Sequence, residues 1–245
     1  MFPKRVYWLR ITIDPRLNKE TAILLFALDP SDEIKRKSLT PTKNKRLNRR
    51  IFTRLNAKAL GVAKSTQLPV FLSREIPHSG RNFGEKISVC ASYIFGLGYE
   101  RLILIGNDCP SLSRDLILDA NKQLERHAHV VGPDERGGTY LIGLHAKDFN
   151  QESFKKLQWE SNSFFASYIQ FTNDAAFRLS LLSDLHSFRD VLTYEPTVLL
   201  VRLIKEWILA YPTCLITNLI RIYTNPVFYS TKQLRAPPSS VFLAA

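Results

Sequence analysis

The sequence predicts an α/β fold with a mostly parallel central sheet, and three observations carry that reading. Short apolar runs recur at residues 22–28, 68–73, 102–105, 129–131 and 139–144, and they have the length and texture of buried strands. Between them lie stretches whose apolar residues fall at helical spacing. A carboxylate, Asp108, sits just past one run, and Gly137-Gly138 just before another. Ligands of open α/β sheets sit at that edge, beyond the carboxyl ends of the strands.

Residues 6–13 alternate loosely and fit an edge strand or an added segment. Residues 22–28 (AILLFAL) form the first convincing buried strand, and a polar loop, 29–39, follows it. Residues 35–54 hold nine basic side chains and no acidic one: Lys35, Arg36, Lys37, Lys43, Lys45, Arg46, Arg49, Arg50 and Arg54. Leu47, Ile51, Phe52 and Leu55 fall at helical spacing among them, which predicts a helix with a basic outer face. The strand 68–73 leads into a loop, 74–83, and then a helix at 85–95 that stops near Gly96 and Gly98.

Strand 102–105 runs into Gly106-Asn107-Asp108, and Pro110, with no N–H to donate, stops the ladder. Ser113 suits the N-cap of a helix carrying Leu116, Ile117, Ala120 and Leu124 on one face. Gly132-Pro133 and Gly137-Gly138 break the chain between the last two strands. Residues 163–182 are helix-like in their middle. At 198–211, Leu199, Leu200, Leu203, Ile204, Trp207, Ile208 and Tyr211 oppose Arg202, Lys205 and Glu206, an amphipathic pattern that Pro212 ends. A second apolar helical stretch covers 213–223. These two suit packing on the domain first, then a homodimer contact, then peripheral contact with a membrane.

At 245 residues and 45% hydrophobic, the chain suits a single α/β domain over 1–194. A helical extension at 195–230 and a flexible tail at 231–245 would complete it. Cys90, Cys109 and Cys214 have no metal-ligand spacing, which fits a reducing, cytoplasmic compartment. Residues 1–10 are basic and aromatic with no apolar core behind them, so no secretory leader is expected. No apolar run approaches the roughly 18 residues of a spanning helix. The net charge of +12 favours polyanions, anionic membrane surfaces or phosphorylated ligands. No nucleic-acid motif accompanies it, so no specific nucleic-acid partner is expected.

Two motifs carry a family resemblance. IGNDCPSLS, followed after a helix by VVGPDERGGTYLIGL, resembles the DUF2064 family of candidate glycosyltransferases, whose pattern is roughly IGsDcPdL and then GPaeDGGYYLiGL. Residues 78–87 resemble the family's QxGxxLGeRM, with His78 in place of Gln and with Gly80 and Gly84 matching. Residues 181–191 resemble LxDvDTxeDL: Asp184 and Asp190 match, while His186 replaces the second Asp. The resemblance spans about residues 20–191. It implies a Rossmann-like three-layer sandwich of GT-A type, the nucleotide-diphospho-sugar transferase fold.

What the resemblance implies for function is a metal-dependent transfer of a sugar from a nucleoside diphosphate sugar to a small-molecule acceptor. Asp108 and Asp184 would be the catalytic carboxylates. Asp108 and His186 would hold Mn²⁺ or Mg²⁺, and imidazole tilts the choice towards Mn²⁺. Lys35, Arg36, Lys37, Gly80 and Gly84 would meet the nucleotide, while Glu135, Gly137, Gly138, Tyr140 and Trp159 would form the acceptor side. Arg136 departs from the pattern, standing where the family has the Asp of DGG, and Asp134 or Glu135 beside it would substitute with a shift of register. Two rivals follow: nucleotidyl transfer releasing pyrophosphate, and a degenerate relative that binds polyanions through its basic face.

Overall fold

The computed structural model describes residues 19–40, 44–77, 80–187 and 190. His78, Cys214, residues 6–13, the predicted extension at 195–230 and the tail at 231–245 lie outside them. Six strands are described: β1 (Thr21–Leu25), β2 (Val70–Leu72), β3 (Arg101–Ile105), β4 (His129–Pro133), β5 (Thr139–His145) and β6 (Phe177–Arg178). They form one sheet in the order β2-β1-β3-β5-β4-β6. Pairings β1–β2, β1–β3 and β4–β6 are parallel, and β5 alone runs antiparallel to both its neighbours, β3 and β4. The mostly parallel sheet expected from the sequence is therefore present.

Helices cover both faces, which is why the strands read as continuous apolar runs. Successive side chains of a strand point to opposite faces. Ala22 and Leu24 of β1 pack on one side with Ile87, Ala91 and Ile94 of α3 (Phe83–Gly96). Ile23 and Leu25 pack on the other side with Ala59 and Ala63 of α2 (Lys45–Ser65) and with Ile117 and Ala120 of α4 (Arg114–Gln123). Two further helices, α5 (Gln151–Lys155) and α6 (Phe164–Phe171), contribute Phe154, Phe164 and Tyr168 to the first layer. This is the predicted three-layer sandwich.

The polar loop predicted at 29–39 is instead partly helical, as α1 (Pro30–Arg36). Its local sequence explains the difference. Asp29 caps it by accepting from Ser31 N–H at 2.8 Å, and Pro30 occupies the first turn. Asp32 and Glu33 then lie early and Lys35 and Arg36 late, each sign at the end the helix dipole favours. The basic helix predicted after it is α2, which is 21 residues long. Ser113 caps α4 as predicted, accepting from Leu116 N–H at 3.3 Å.

All strands except β5 point the same way, so β1, β3, β4 and β6 deliver their C-terminal residues to one edge. There β1 leads to α1, β3 to Asn107-Asp108 and β4 to Asp134, and β6 leads to the segment carrying Asp184 and His186. Among the described residues no helix is long and apolar enough to cross a membrane.

Candidate functional site

A cleft of about 500 Å³ opens at this edge. Its wall includes Phe26, Phe83 and Trp159, and its polar lining includes Glu33, Arg36, Lys37, Asp108, Asp134, Arg136, Glu160, Asp184 and His186. Backbone pairing past the strand ends brings the acids together. Leu182 N–H donates to Pro133 O at 3.2 Å, Glu135 N–H to Leu182 O at 3.1 Å, and Leu185 N–H to Asp108 O at 2.8 Å. The 182–186 segment is thereby laid between the β3 and β4 loops, with Asp184 among the carboxylates of both.

Asp134, Asp184 and His186 each offer a ligand atom, and these atoms lie within 4.8 Å of one another. The Asp134 carboxylate is aimed by its own loop: Oδ1 accepts from Arg136 N–H at 2.6 Å and Gly138 N–H at 3.0 Å. Gly138 has to be glycine, because a Cβ there would fall 2.2 Å from Asp134 Oδ2. Gly137 has φ +84°, and a Cβ on it would meet Asn162 O at 2.0 Å.

Asp184 is 8% exposed, and its buried Oδ1 has no hydrogen-bond partner. Burial, and then the charges of Asp108 and Asp134, push its carboxyl up to about 8. An unpartnered buried oxygen is costly unless something fills its lone pairs. His186 sits at the exposed rim, yet partial desolvation of its ring and then Lys37 push it down, which keeps the imidazole neutral and able to bind a cation.

The cations of the cleft are each paired. Lys37 Nζ lies 3.2 Å from Asp108 Oδ2, Arg36 pairs with Glu160, and Arg136 pairs with Asp190. Asp190 also accepts from His186 N–H at 2.9 Å and Ser187 N–H at 2.8 Å. Burial opposes ionisation of Asp190, but these donors and Arg136 outweigh it and hold its carboxyl low. Arg136 is thus a strut between the loop of Asp134 and the loop of His186.

The inner face of α2 braces the cleft loops. Asn48 is 2% exposed; it accepts from Leu39 N–H at 2.8 Å and donates to Lys37 O at 3.2 Å and Ser38 Oγ at 3.1 Å. Asn56 donates to Leu28 O at 3.1 Å and accepts from Asn107.

Several predicted residues fall elsewhere. Lys35 pairs with Asp32 on the surface, 72% exposed, and does not line the cleft. Gly80 and Gly84 are packing glycines: a Cβ would fall 2.6 Å from Lys86 N and 2.4 Å from Lys155 O, respectively. Glu135 points to solvent, its N–H being held by Leu182. Tyr140 borders the cleft, but it is 1% exposed and its hydroxyl is committed to Ser180 O at 2.8 Å. Trp159 does line the cleft, held by Nε1–H donation to Phe154 O at 2.9 Å and packed against Phe83 and Phe164. Of the expected metal pair, His186 is in the three-ligand group, and Asp108 sits beside it on Lys37. Asp134 was expected only as a stand-in, with Glu135, for the family's Asp at position 136, and the struts Asn48 and Asn56 had no assigned role. Asp134 carried the same signal as Asp108, a carboxylate just past a strand, and the register shift that would bring it into the motif's Asp position was the sequence clue to it.

A sheet with these directions, sandwiched by helices and opening at this edge, is the nucleotide-diphospho-sugar transferase fold of GT-A type. The candidate nucleotide-diphospho-sugar transferase of Desulfovibrio desulfuricans G20 shares it, with a TM-score of 0.61 at 19% identity, covering 76% of this chain and 94% of that one. Residues 44–161 match the sequence profile of DUF2064, described as an uncharacterized protein conserved in bacteria, the family that the motifs resemble. The Lys35–Lys37 stretch and the 181–191 motif lie outside the matched region.

Two looser overlaps involve glucosyl-3-phosphoglycerate synthase of Mycobacterium tuberculosis, solved with Mn²⁺, UDP and glucosyl-3-phosphoglycerate, and 4-diphosphocytidyl-2C-methyl-D-erythritol synthase of Anaerococcus prevotii. The first has a TM-score of 0.36 at 11% identity, covering 68% of this chain and 71% of that one. The second has a TM-score of 0.38 at 9% identity, covering 72% and 97%. No curated protein matches this chain.

Proposed function

We propose that this protein is a metal-dependent transferase that moves a sugar from a nucleoside diphosphate sugar to a small acceptor. The observation that carries the reading is Asp184, a buried carboxyl with an unpartnered oxygen beside Asp134 and His186 at the carboxyl edge of the sheet. Two carboxylates and a neutral imidazole suit Mn²⁺ better than Mg²⁺, which prefers oxygen ligands throughout. A divalent cation held there would neutralise the diphosphate leaving group.

The remaining roles belong to the chain's own groups. Lys37 and Arg36 meet the diphosphate, releasing Asp108 and Glu160 from their ion pairs. Asp108, so released, is the carboxylate nearest the reacting centre. Trp159 and Phe83 supply a fixed apolar wall for the base or the sugar. Gly137 and Gly138 shape the acceptor side by letting the loop close on Asn162 and on the Asp134 carboxylate. Nucleotidyl transfer would need further cations for a triphosphate, and none of the basic residues of α2 lines the cleft.

The test is calorimetric titration with UDP, GDP and their sugars, with and without Mn²⁺. Binding of one nucleotide only when Mn²⁺ is present supports the reading and names the donor base. No binding in either state refutes it. Release of nucleoside diphosphate rather than pyrophosphate then separates sugar transfer from nucleotidyl transfer.

A further inference from the structure

The outer face of α2 is assembled against the preferences of an isolated helix. Lys45 and Arg46 occupy its first turn, which holds no acidic residue, although the dipole there disfavours cations. Lys45 and Arg49, Arg46 and Arg50, and Arg50 and Arg54 are like charges four residues apart, which repel. Lys45, Arg46, Arg49 and Arg50 are exposed and Arg54 is partly so. None of the salt bridges described above involves Lys45, Arg46, Arg49 or Arg54. The site in the cleft does not use them, since no residue of this face lines it.

We propose that this face is a docking surface for an anionic phospholipid layer. Four of its five cations are arginines, which pair with phosphate bidentately. Besides them the exposed face carries only Thr53, Ala57, Gly61, Lys64 and Ser65, small or charged side chains. Nothing on it is aromatic or amide-bearing, so any contact with bases would fall to the arginines alone, with no stacking platform beside them. A row of cations with no aromatic platform beside it suits a layer of phosphates, which is the chemistry of headgroups. The sequence stretch 198–223, apolar with Arg202, Lys205, Glu206 and Arg221, adds a composition that a lipid surface accepts. The inner face of the same helix holds the Lys37–Leu39 segment through Asn48, so a membrane on the outer face lies next to the cleft mouth.

The test is co-sedimentation of the full chain with vesicles of phosphatidylcholine alone and with about one part phosphatidylglycerol to three of phosphatidylcholine, at about 0.1 M salt. One variant carries Lys45→Gln, Arg46→Gln, Arg49→Gln and Arg54→Gln. A second carries Arg46→Lys, Arg49→Lys and Arg54→Lys, which keeps the charge. Binding to the anionic vesicles alone is expected, weakened about fivefold for each cation removed and therefore by several hundredfold in the Gln variant. The Lys variant should retain binding, and both variants should keep the wild-type melting temperature and Mn²⁺-dependent nucleotide binding. No binding of the wild type to anionic vesicles overturns the proposal, as does equal binding by the Gln variant. Tighter binding of an oligonucleotide than of vesicles, lost on the same substitutions, also overturns it. A failed nucleotide titration with vesicle binding intact would sink the transferase reading and leave this one standing.

Discussion

Replacing Asp184 by asparagine should stabilise the metal-free protein, and the gain should grow with pH. Burial and the neighbouring Asp108 and Asp134 raise its carboxyl to about 8, against about 3.9 in an unfolded chain. Between those values the unfolded chain is ionised while the folded one keeps its proton. The unfolded state therefore binds fewer protons, and stability falls as pH rises from about 4 to about 8, then levels off. At pH 7 the deficit is about three pH units at 1.36 kcal/mol each, or about 4 kcal/mol. That is an upper limit, because water entering an open cleft relieves part of it.

Asparagine carries no such penalty, and its amide still offers an acceptor to the Cys109 thiol, which hydrogen-bonds the Asp184 carboxyl. Recovery of only about 1 kcal/mol would raise the melting temperature by about 2–4 °C in a protein of this size. Thermal melts in a chelator at pH values of about 5, 7 and 8 should show the variant increasingly ahead of the wild type. A variant no more stable at pH 8, or an advantage that does not widen with pH, would refute the reasoning.

Other outcomes follow from the same geometry. Metal binding must displace the Asp184 proton, so Mn²⁺ affinity should rise by about tenfold per pH unit up to about pH 8 and flatten above it; a flat profile from pH 6 to 8 would contradict this. Arg136→Ala should change stability by less than about 1 kcal/mol, because the Arg136 end of its pair with Asp190 is half exposed. The same change should weaken Mn²⁺ binding by about tenfold or more, because Arg136 and Asp190 hold the His186 loop; unchanged affinity would rule out the strut. Asn48→Ala removes three hydrogen bonds from a buried site and should cost about 2–3 kcal/mol in chemical denaturation; a loss under about 0.5 kcal/mol would show that the 37–39 segment holds itself.

Much of the fold was legible because it is written in local pattern. Strands buried on both faces leave continuous apolar runs, and Ser113, Gly96 and Gly98 marked helix ends by cap chemistry. α1 was hidden because its capping signals lie inside a polar stretch with no apolar face. The antiparallel direction of β5 leaves no trace in its composition.

The site was legible only in part. Asp108, Asp184 and His186 stood in motifs and do converge on one edge. The proposed ligand role of Asp134 depends on backbone donors two and four residues away, and the role of Arg136 on a partner 54 residues away. Gly84 and Tyr140 sat in functional motifs, but the chain packs them against Trp159 and Ser180. Spacing alone cannot separate a glycine that admits a ligand from one that admits a side chain.

The central claim is that Asp184, with Asp134 and His186, holds a divalent cation in the cleft. Paramagnetic resonance titration of Mn²⁺ into wild type, Asp184→Asn, Asp134→Asn and His186→Ala tests it most directly, with melting curves to show that each variant is folded. One bound Mn²⁺ in the wild type, weakened in all three variants while Asp184→Asn melts no lower than wild type, is the predicted result. A wild type that binds no Mn²⁺, or an Asp184→Asn variant that binds it as tightly as wild type, would contradict the account.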